Sequence, residues 1–237
     1  MQAVGMVRQI ARYPVKSMKG EVMPGTTLTL QGLPEDRRYA FVQAGSRSSF
    51  PWLTARELPD MLSYATSVSG SGSLEVAVKV ITPEGAGLPV DSEELRQALE
   101  TRSGRALFLL RDYRGSYDVA NISLISSQTV TRIAAETETV ADSRRFRPNL
   151  LVDVDSGGAF DELKWVGCIL RVGRDARVAI TEVDRRCMLI TLDPDTGKAN
   201  PRVLKCVAQN HQQSAGVYGT VLTPGEVREG DPISLEI

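Results

Sequence analysis

Residues 176–197 read ARVAITEVDRRCMLITLDPDTG. Within them, residues 178–183 (VAITEV) are rich in β-branched and apolar side chains and read as a strand. Asp193-Pro194-Asp195-Thr196-Gly197 carries the residue types of a tight turn. Between strand and turn stand Arg185, Arg186 and Cys187. The thiolate is the reactive and metal-binding form of cysteine, and neighbouring cations favour it. A strand end is a suitable place to present such a side chain. On spacing alone two readings stand: a reactive or metal-binding thiolate at Cys187, or a buried structural cysteine beside two solvated arginines.

Outward from this stretch the β character continues. Residues 149–154 (NLLVDV) and 168–172 (CILRV) are strand candidates, and Gly173-Arg174-Asp175 turns the second. The tail places Gly216 and Gly219 around Tyr218, and Glu229-Gly230-Asp231-Pro232 turns the chain into a terminal strand. The middle is helical in pattern. Ser92 caps SEELRQALETRSG, Glu93 and Glu94 suit the positive first turn, and Gly104 ends it. Residues 106–113 (ALFLLRDY) read as a buried strand. Residues 123–138 are a second helix candidate, with Ile125, Thr129, Ile133 and Leu124 as its stripe. The first ninety residues show short strands at 4–13, 26–30 and 39–42. A hairpin of 61–68 and 74–81 about SGSGS follows, so a small barrel or sandwich is expected. The pattern changes across 85–110, and the expected division is 1–95 and 96–237. The fold class expected is α+β, mostly β, in two lobes.

Composition narrows the function. The chain has 237 residues, 42% of them hydrophobic, as a globular protein should. Twenty-eight Lys and Arg against 29 Asp and Glu leave a formal charge of −1, which gives no bulk attraction to nucleic acid or anionic lipid. Any anion must be met by a local cluster. No run of about 18 apolar residues could span a membrane, and the N-terminus lacks the apolar core of a signal peptide. A cytoplasmic protein is expected. Cys168, Cys187 and Cys206 are odd in number and widely spaced, so no disulfide framework is indicated. Cys168 reads as core, and Cys206 as core or surface. His211 is the single histidine, which excludes a multi-histidine metal site in one chain, and no Ser or Cys partner for it is evident. There is no GxGxxG after a strand, no P-loop and no HExxH.

Local basic groups offer anion sites. Arg144, Arg145 and Arg147 precede a strand, and arginine forks match phosphate oxygens; a solvated basic turn is the other reading. Lys16-Ser17 offers a point charge and a hydroxyl, but a surface lysine is the better reading of these residues alone. Asp36-Arg37-Arg38 reads as a solvated turn. Ser126 and Ser127 stand near a helix start, where an anion or a simple cap can be served.

Taken together these segments resemble a known family. WVGCILRVG (165–173), Arg186-Cys187 and Thr191-Leu192-Asp193-Pro194-Asp195-Thr196-Gly197 resemble the MOSC domain. RRFRPNLLVD (144–153), SLISSQTV (123–130) and VYGTVLTPGEVREGDPI (217–233) resemble further segments of it. YPVKSMKG (13–20) and GLPEDRRYAFV (32–42) resemble the N-terminal β-barrel domain that precedes MOSC in the branch of the amidoxime reducing components. The resemblance implies a small N-terminal β-barrel-like domain, then a MOSC β-barrel with peripheral helices. It implies a molybdenum–molybdopterin cofactor between the lobes, with Cys187 as thiolate ligand to the metal. The positions matching the family's cofactor contacts are Lys16, Ser17, Arg37, Ser126, Ser127, Arg147 and Asn149, with Arg185 and Arg186 flanking the metal. The implied reaction is reduction of N-hydroxylated substrates, with no need of pyridoxal phosphate. A carrier of molybdenum cofactor or sulfur without turnover is the alternative. No ferredoxin module follows and no membrane anchor precedes Tyr13, so a separate electron-donor protein of ferredoxin, flavin or haem type is expected. Arg185 stands where a small or polar residue is usual, which implies an altered pocket beside the metal.

Overall fold

The computed structural model describes residues 2–70, 76–115 and 117–236. Its first part carries β1 (Gln2–Arg12), β2 (Glu21–Met23), β3 (Gly25–Leu28), β4 (Tyr39–Gln43), β5 (Ala65–Ser69), β6 (Ala77–Ile81), β7 (Gly87–Pro89), α1 (Glu93–Ser103) and β8 (Leu107–Arg111). Its second part carries β9 (Ile122–Ser126), α2 (Ser127–Thr137), β10 (Leu150–Val154), β11 (Ile169–Val172), β12 (Ala176–Arg185), α3 (Pro201–Asn210), β13 (Ser214–Thr223), β14 (Gly225–Arg228) and β15 (Pro232–Glu236). The protein is mostly β, with two lobes, as expected.

Seven strands close a barrel in the order β10-β9-β13-β12-β11-β15-β1, and β1 pairs back onto β10. Closure removes the open edges that would otherwise template aggregation. Alternate side chains fill the interior. Leu150, Val152 and Val154 of β10, Val178 and Ile180 of β12, and Val217 and Val221 of β13 share one core with Trp165. A bulge between Val7 and Gln9 resets the alternation of β1, so Val7 and Ile10 both reach that core.

β9 and β10 are parallel, which requires a crossover, and α2 supplies it. This corrects the reading of 123–138 as one helix. Residues 122–126 are strand, Leu124 and Ile125 face different cores, and the helix begins at Ser127. Thr129, Val130, Ile133, Ala134 and Thr137 form the buried stripe. Periodicity cannot sort a short apolar run; pairing with β10 and β13 does. α3 was not anticipated. Asn200 accepts from Arg202 N at 3.2 Å, Pro201 opens the helix, and Val203 and Val207 pack beside Ile133 of α2.

The N-terminal lobe contains the β4–β8 pair and the β5-β6-β7 sheet. Phe41, Leu53, Met61, Tyr64, Leu95 and Leu99 form its core. α1 stands where the sequence put it: Ser92 Oγ accepts from Leu95 N at 3.3 Å, and Gly104 is left-handed. The expected strand at 61–68 starts at Ala65, because Pro59 opens a 3-10 turn over Pro59–Ser63. β5 and β6 pair, while residues 71–73 of the expected hairpin loop lie outside the described residues. The anticipated division after residue 95 falls inside α1. Since Leu95 and Leu99 pack with Phe41, and β8 pairs with β4, residues 96–111 join the N-terminal lobe, while β1 joins the barrel. No described helix is long and apolar enough to cross a membrane.

Candidate functional site

β1 leaves the barrel at Arg12, and the chain enters the N-terminal lobe through Tyr13, Pro14, Val15, Lys16 and Ser17. Val15 bridges to Tyr39, and Lys16 N donates to Tyr39 O at 2.8 Å. β12 ends opposite, at Arg185, and Cys187 opens the short turn Met188–Thr191. Between these segments lies a cleft of about 400 Å³, within the roughly 300–1,000 Å³ of small-molecule sites. Seven cationic side chains line it against three acidic ones, although the whole chain is nearly neutral. Lys16, Ser17, Arg37, Arg147, Arg185, Arg186 and Cys187 all border it. The Cys187 side chain is free and exposed.

The cations are fixed by the backbone around them. Ser17, Arg37 and Arg147 adopt φ of 66°, 50° and 51°. Non-glycine residues rarely adopt this region, and such strain clusters at ligand sites. Arg37 pairs with the fully buried Asp36 and donates to Arg147 O at 2.9 Å and to Asn149 Oδ1 at 3.2 Å. Arg147 donates to Met18 O at 2.6 Å and lies 4.3 Å over the Tyr13 ring. It has no carboxylate partner among the described residues. Burial therefore pushes its guanidinium down to about 10. A buried cation with no carboxylate partner among the described residues favours an anion beside it.

Arg186 is held from three sides. It donates to Ala215 O at 2.6 Å and Phe146 O at 2.9 Å, and stands 2.8 Å from Asp184 Oδ2. That last approach is within ion-pair distance but is not aligned as a hydrogen bond. Gly216 makes room for this arrangement: at φ +82° a Cβ would lie 2.5 Å from Leu124 O and 3.0 Å from Arg186 Nη2. Asp184 is buried, and burial pushes its carboxyl up to about 6 despite Arg186 and a hydrogen bond with Tyr218. Lys16 Nζ lies 2.7 Å from Asp118 Oδ1; burial lowers the lysine and Asp118 opposes this. Ser123 Oγ and Arg186 Nη2 are buried with no hydrogen-bond partner among the described residues. Such groups cost free energy unless something completes them.

Three anticipated contacts stand elsewhere. Ser126 is fully buried, caps α2 through Thr129 N at 3.0 Å and donates to Glu162 Oε2 at 2.8 Å. Ser127 bonds Asp153. Neither borders the cleft, because the helix start lies at the crossover behind β9. Asn149 is buried under the site, where it orients Arg37 and receives Ser123 N at 3.1 Å. Of the Asp36-Arg37-Arg38 turn, Arg37 reaches the cleft, while Arg38 donates to Tyr113 O and Gln31 O. Arg144 pairs with Asp142 and Asp195, and Arg145 with Asp193, so neither repeats the role of Arg147. Cys168 is half-exposed rather than core. Ser123, Asp118, Asp184, Tyr218, Phe50 and Arg56 border the cleft without having been anticipated. Asp184, three residues before Cys187 on a strand, offered the one local signal.

The family model of the MOSC N-terminal beta barrel domain matches residues 4–108, and that of the MOSC domain matches residues 112–234. Mitochondrial amidoxime-reducing component 1 of Homo sapiens is 24% identical, over 99% of this chain and 84% of that protein. Mitochondrial amidoxime reducing component 2 of Rattus norvegicus is 25% identical, over 98% and 84%. A molybdenum cofactor sulfurase of Drosophila grimshawi is 25% identical, over 96% of this chain and 34% of that protein. Among solved structures, the YuaD protein from Bacillus subtilis has a TM-score of 0.53 at 14% identity, covering 98% of this chain and 95% of that one. That likeness speaks for the fold.

Proposed function

The chain belongs to the MOSC family, and from that membership we propose that it is a molybdenum cofactor-dependent oxidoreductase reducing N-hydroxylated substrates. The observation that carries the reading is an exposed thiol, Cys187, on a cleft whose buried Arg147 has no carboxylate partner among the described residues. The relatives named for amidoxime reduction and for the molybdenum cofactor support it.

The residues present fit such a group. A molybdenum–molybdopterin cofactor has a phosphate for fixed donors and a soft metal for a thiolate. Cys187 would hold the metal. Lys16, Ser17, Arg37 and Arg147 would hold the phosphate by charge-assisted hydrogen bonds, and Asn149 orients Arg37. Ser123 Oγ and Arg186 Nη2 are among the buried polar atoms of the cleft lining that lack a hydrogen-bond partner among the described residues and that a bound polar molecule would satisfy. When bound, the centre supplies two-electron oxygen-atom acceptance.

The rest is done by the chain. Loss of an N-hydroxyl oxygen as water consumes two protons and two electrons. The Asp184 carboxyl, raised by burial to about 6, can take up and give a proton within the cleft near neutral pH. Arg185 and Arg186 stand beside Cys187 on the cleft wall and set positive charge next to the thiol. Electrons arrive from a separate donor protein of ferredoxin, flavin or haem type.

The test uses protein from a host that makes the cofactor. Near-stoichiometric molybdenum and pterin are expected, together with amidoxime reduction driven by reduced viologen. Cys187→Ser should abolish reduction while the unfolding transition is retained. Full activity in that variant refutes the ligand assignment. A loaded parent that reduces nothing, yet passes cofactor to an apo-enzyme, would establish the carrier role instead.

A further inference from the structure

α2 and α3 pack against each other, and three metal-ligating side chains that do not border the cleft meet there. Glu136 comes from α2, Cys206 from α3 and His211 from the residue that ends α3. Their ligand atoms all lie within 4.8 Å of one another. Cys206 Sγ is 3.0 Å and His211 Nε2 is 2.7 Å from Glu136 Oε2. We propose that Glu136, Cys206 and His211 form a zinc-binding site that clamps α2 to α3.

The donor set is one sulfur, one imidazole nitrogen and one carboxylate oxygen. That combination suits zinc and not the hard, oxygen-seeking magnesium or calcium. Tetrahedral zinc at about 2.0–2.3 Å from each donor spaces the donors by about 3.5 Å. The two separations from Glu136 Oε2, 3.0 and 2.7 Å, need to open by less than about 1 Å to reach it, and the sulfur and the imidazole nitrogen lie within 4.8 Å of each other. Cys206 and Glu136 as anions neutralise a divalent cation. Each ligand also has a supporting partner, as metal sites do. Arg132 Nε donates to the other Glu136 oxygen, at 2.5 Å. The Phe160 ring stacks on the His211 ring with centroids 4.0 Å apart and fixes its plane. Asn210 Nδ2 lies 3.7 Å from Cys206 Sγ. The side chains of His211 and Glu136 are 15% and 19% exposed. An ion can therefore enter, and a water completes the fourth position.

In the metal-free chain Cys206 Sγ and His211 Nε2 are both hydrogen-bonded to Glu136 Oε2. Zinc forms bonds to Sγ, Nε2 and Oε2. The thiol proton leaves to solvent, and neutral His211 carries its proton on Nδ1. Neither oxidation nor reduction is involved. The clamp braces α3, whose Val203 and Val207 pack on Ile190 in the turn that follows Cys187.

The test is titration of the chelator-treated full-length chain with cobalt(II), as a spectroscopic stand-in for zinc, and then competition by zinc. One equivalent should give the visible bands of tetrahedral cobalt and a near-ultraviolet thiolate charge-transfer band. One equivalent of zinc should bleach both. Cys206→Ser should lose the charge-transfer band. His211→Gln should weaken zinc by at least about tenfold, the least that even outer-shell losses cost. Cys187→Ser should keep all the bands, which separates this site from the cleft. Absence of bands at stoichiometric cobalt overturns the proposal and leaves a hydrogen-bonded cluster. Bands lost in Cys187→Ser but kept in both Cys206→Ser and His211→Gln overturn it equally.

Discussion

Replacing Asp184 with asparagine should remove a pH dependence of folding that the cleft imposes. The Asp184 carboxyl is buried, and burial pushes it from 3.8 to about 6. At about 1.36 kcal/mol per unit, the rise corresponds to roughly 3 kcal/mol. The sign is set by proton counting. Between about pH 4 and 6 the folded chain keeps a proton that the unfolded chain has given up, so stability falls as pH rises. Above the folded value the full loss is incurred. Asparagine keeps the shape and cannot ionise. Other carboxyls act the other way: hydrogen bonds from Cys206, His211 and Arg132 outweigh burial and hold Glu136 at about 2. The readout is therefore the difference between variant and parent. Urea unfolding of the cofactor-free proteins, from pH 4 to pH 8, should show Asp184→Asn gaining relative stability by up to about 3 kcal/mol, mostly across pH 4–6. Parallel profiles would refute the assignment of a raised carboxyl. A parent that gains over the variant with rising pH would mean the ion pair with Arg186 outweighs desolvation.

Further outcomes follow from the same contacts. Arg147→Ala should weaken cofactor retention by about 10- to 100-fold, the worth of one or two charge-assisted bonds. Gel filtration followed by molybdenum assay checks this, and equal content in variant and parent would contradict it. Ser126→Ala should cost about 1–3 kcal/mol of stability, because it strips the cap of α2 and one partner of buried Glu162. Its cofactor content should be unchanged; a fall would return Ser126 to the cofactor site. Gly216→Ala should destabilise by at least about 1–3 kcal/mol, since a left-handed backbone and a Cβ 2.5 Å from Leu124 O are both opposed. Unchanged denaturant midpoints would show that β13 relaxes freely.

Local chemistry made much of this protein legible in its sequence. Ser92 and Gly104 bound a helix because a hydroxyl satisfies free N–H groups and glycine tolerates left-handed φ. Asp193–Gly197 turns because Asp193 Oδ1 accepts from Thr196 N at 3.0 Å within its own loop. Cys187 offered a reactive thiol on its own residues, Lys16, Arg37 and Arg147 drew meaning from the family resemblance, and all four border one cleft. What tertiary structure decided is what depends on partners distant in the chain. Residues 122–126 became strand through pairing with β10 and β13. Ser126, readable as an anion contact or as a cap, caps α2 and bonds Glu162, which lies 36 residues away. β1 left its own lobe to close the barrel, and α1 joined the lobe before it. His211 found its partner across 75 residues, in Glu136. Caps, turns and periodicity act within a few residues and are written in order. Burial, charge pairing and strand neighbours are set by which segments the barrel brings together, and no local pattern encodes that distance.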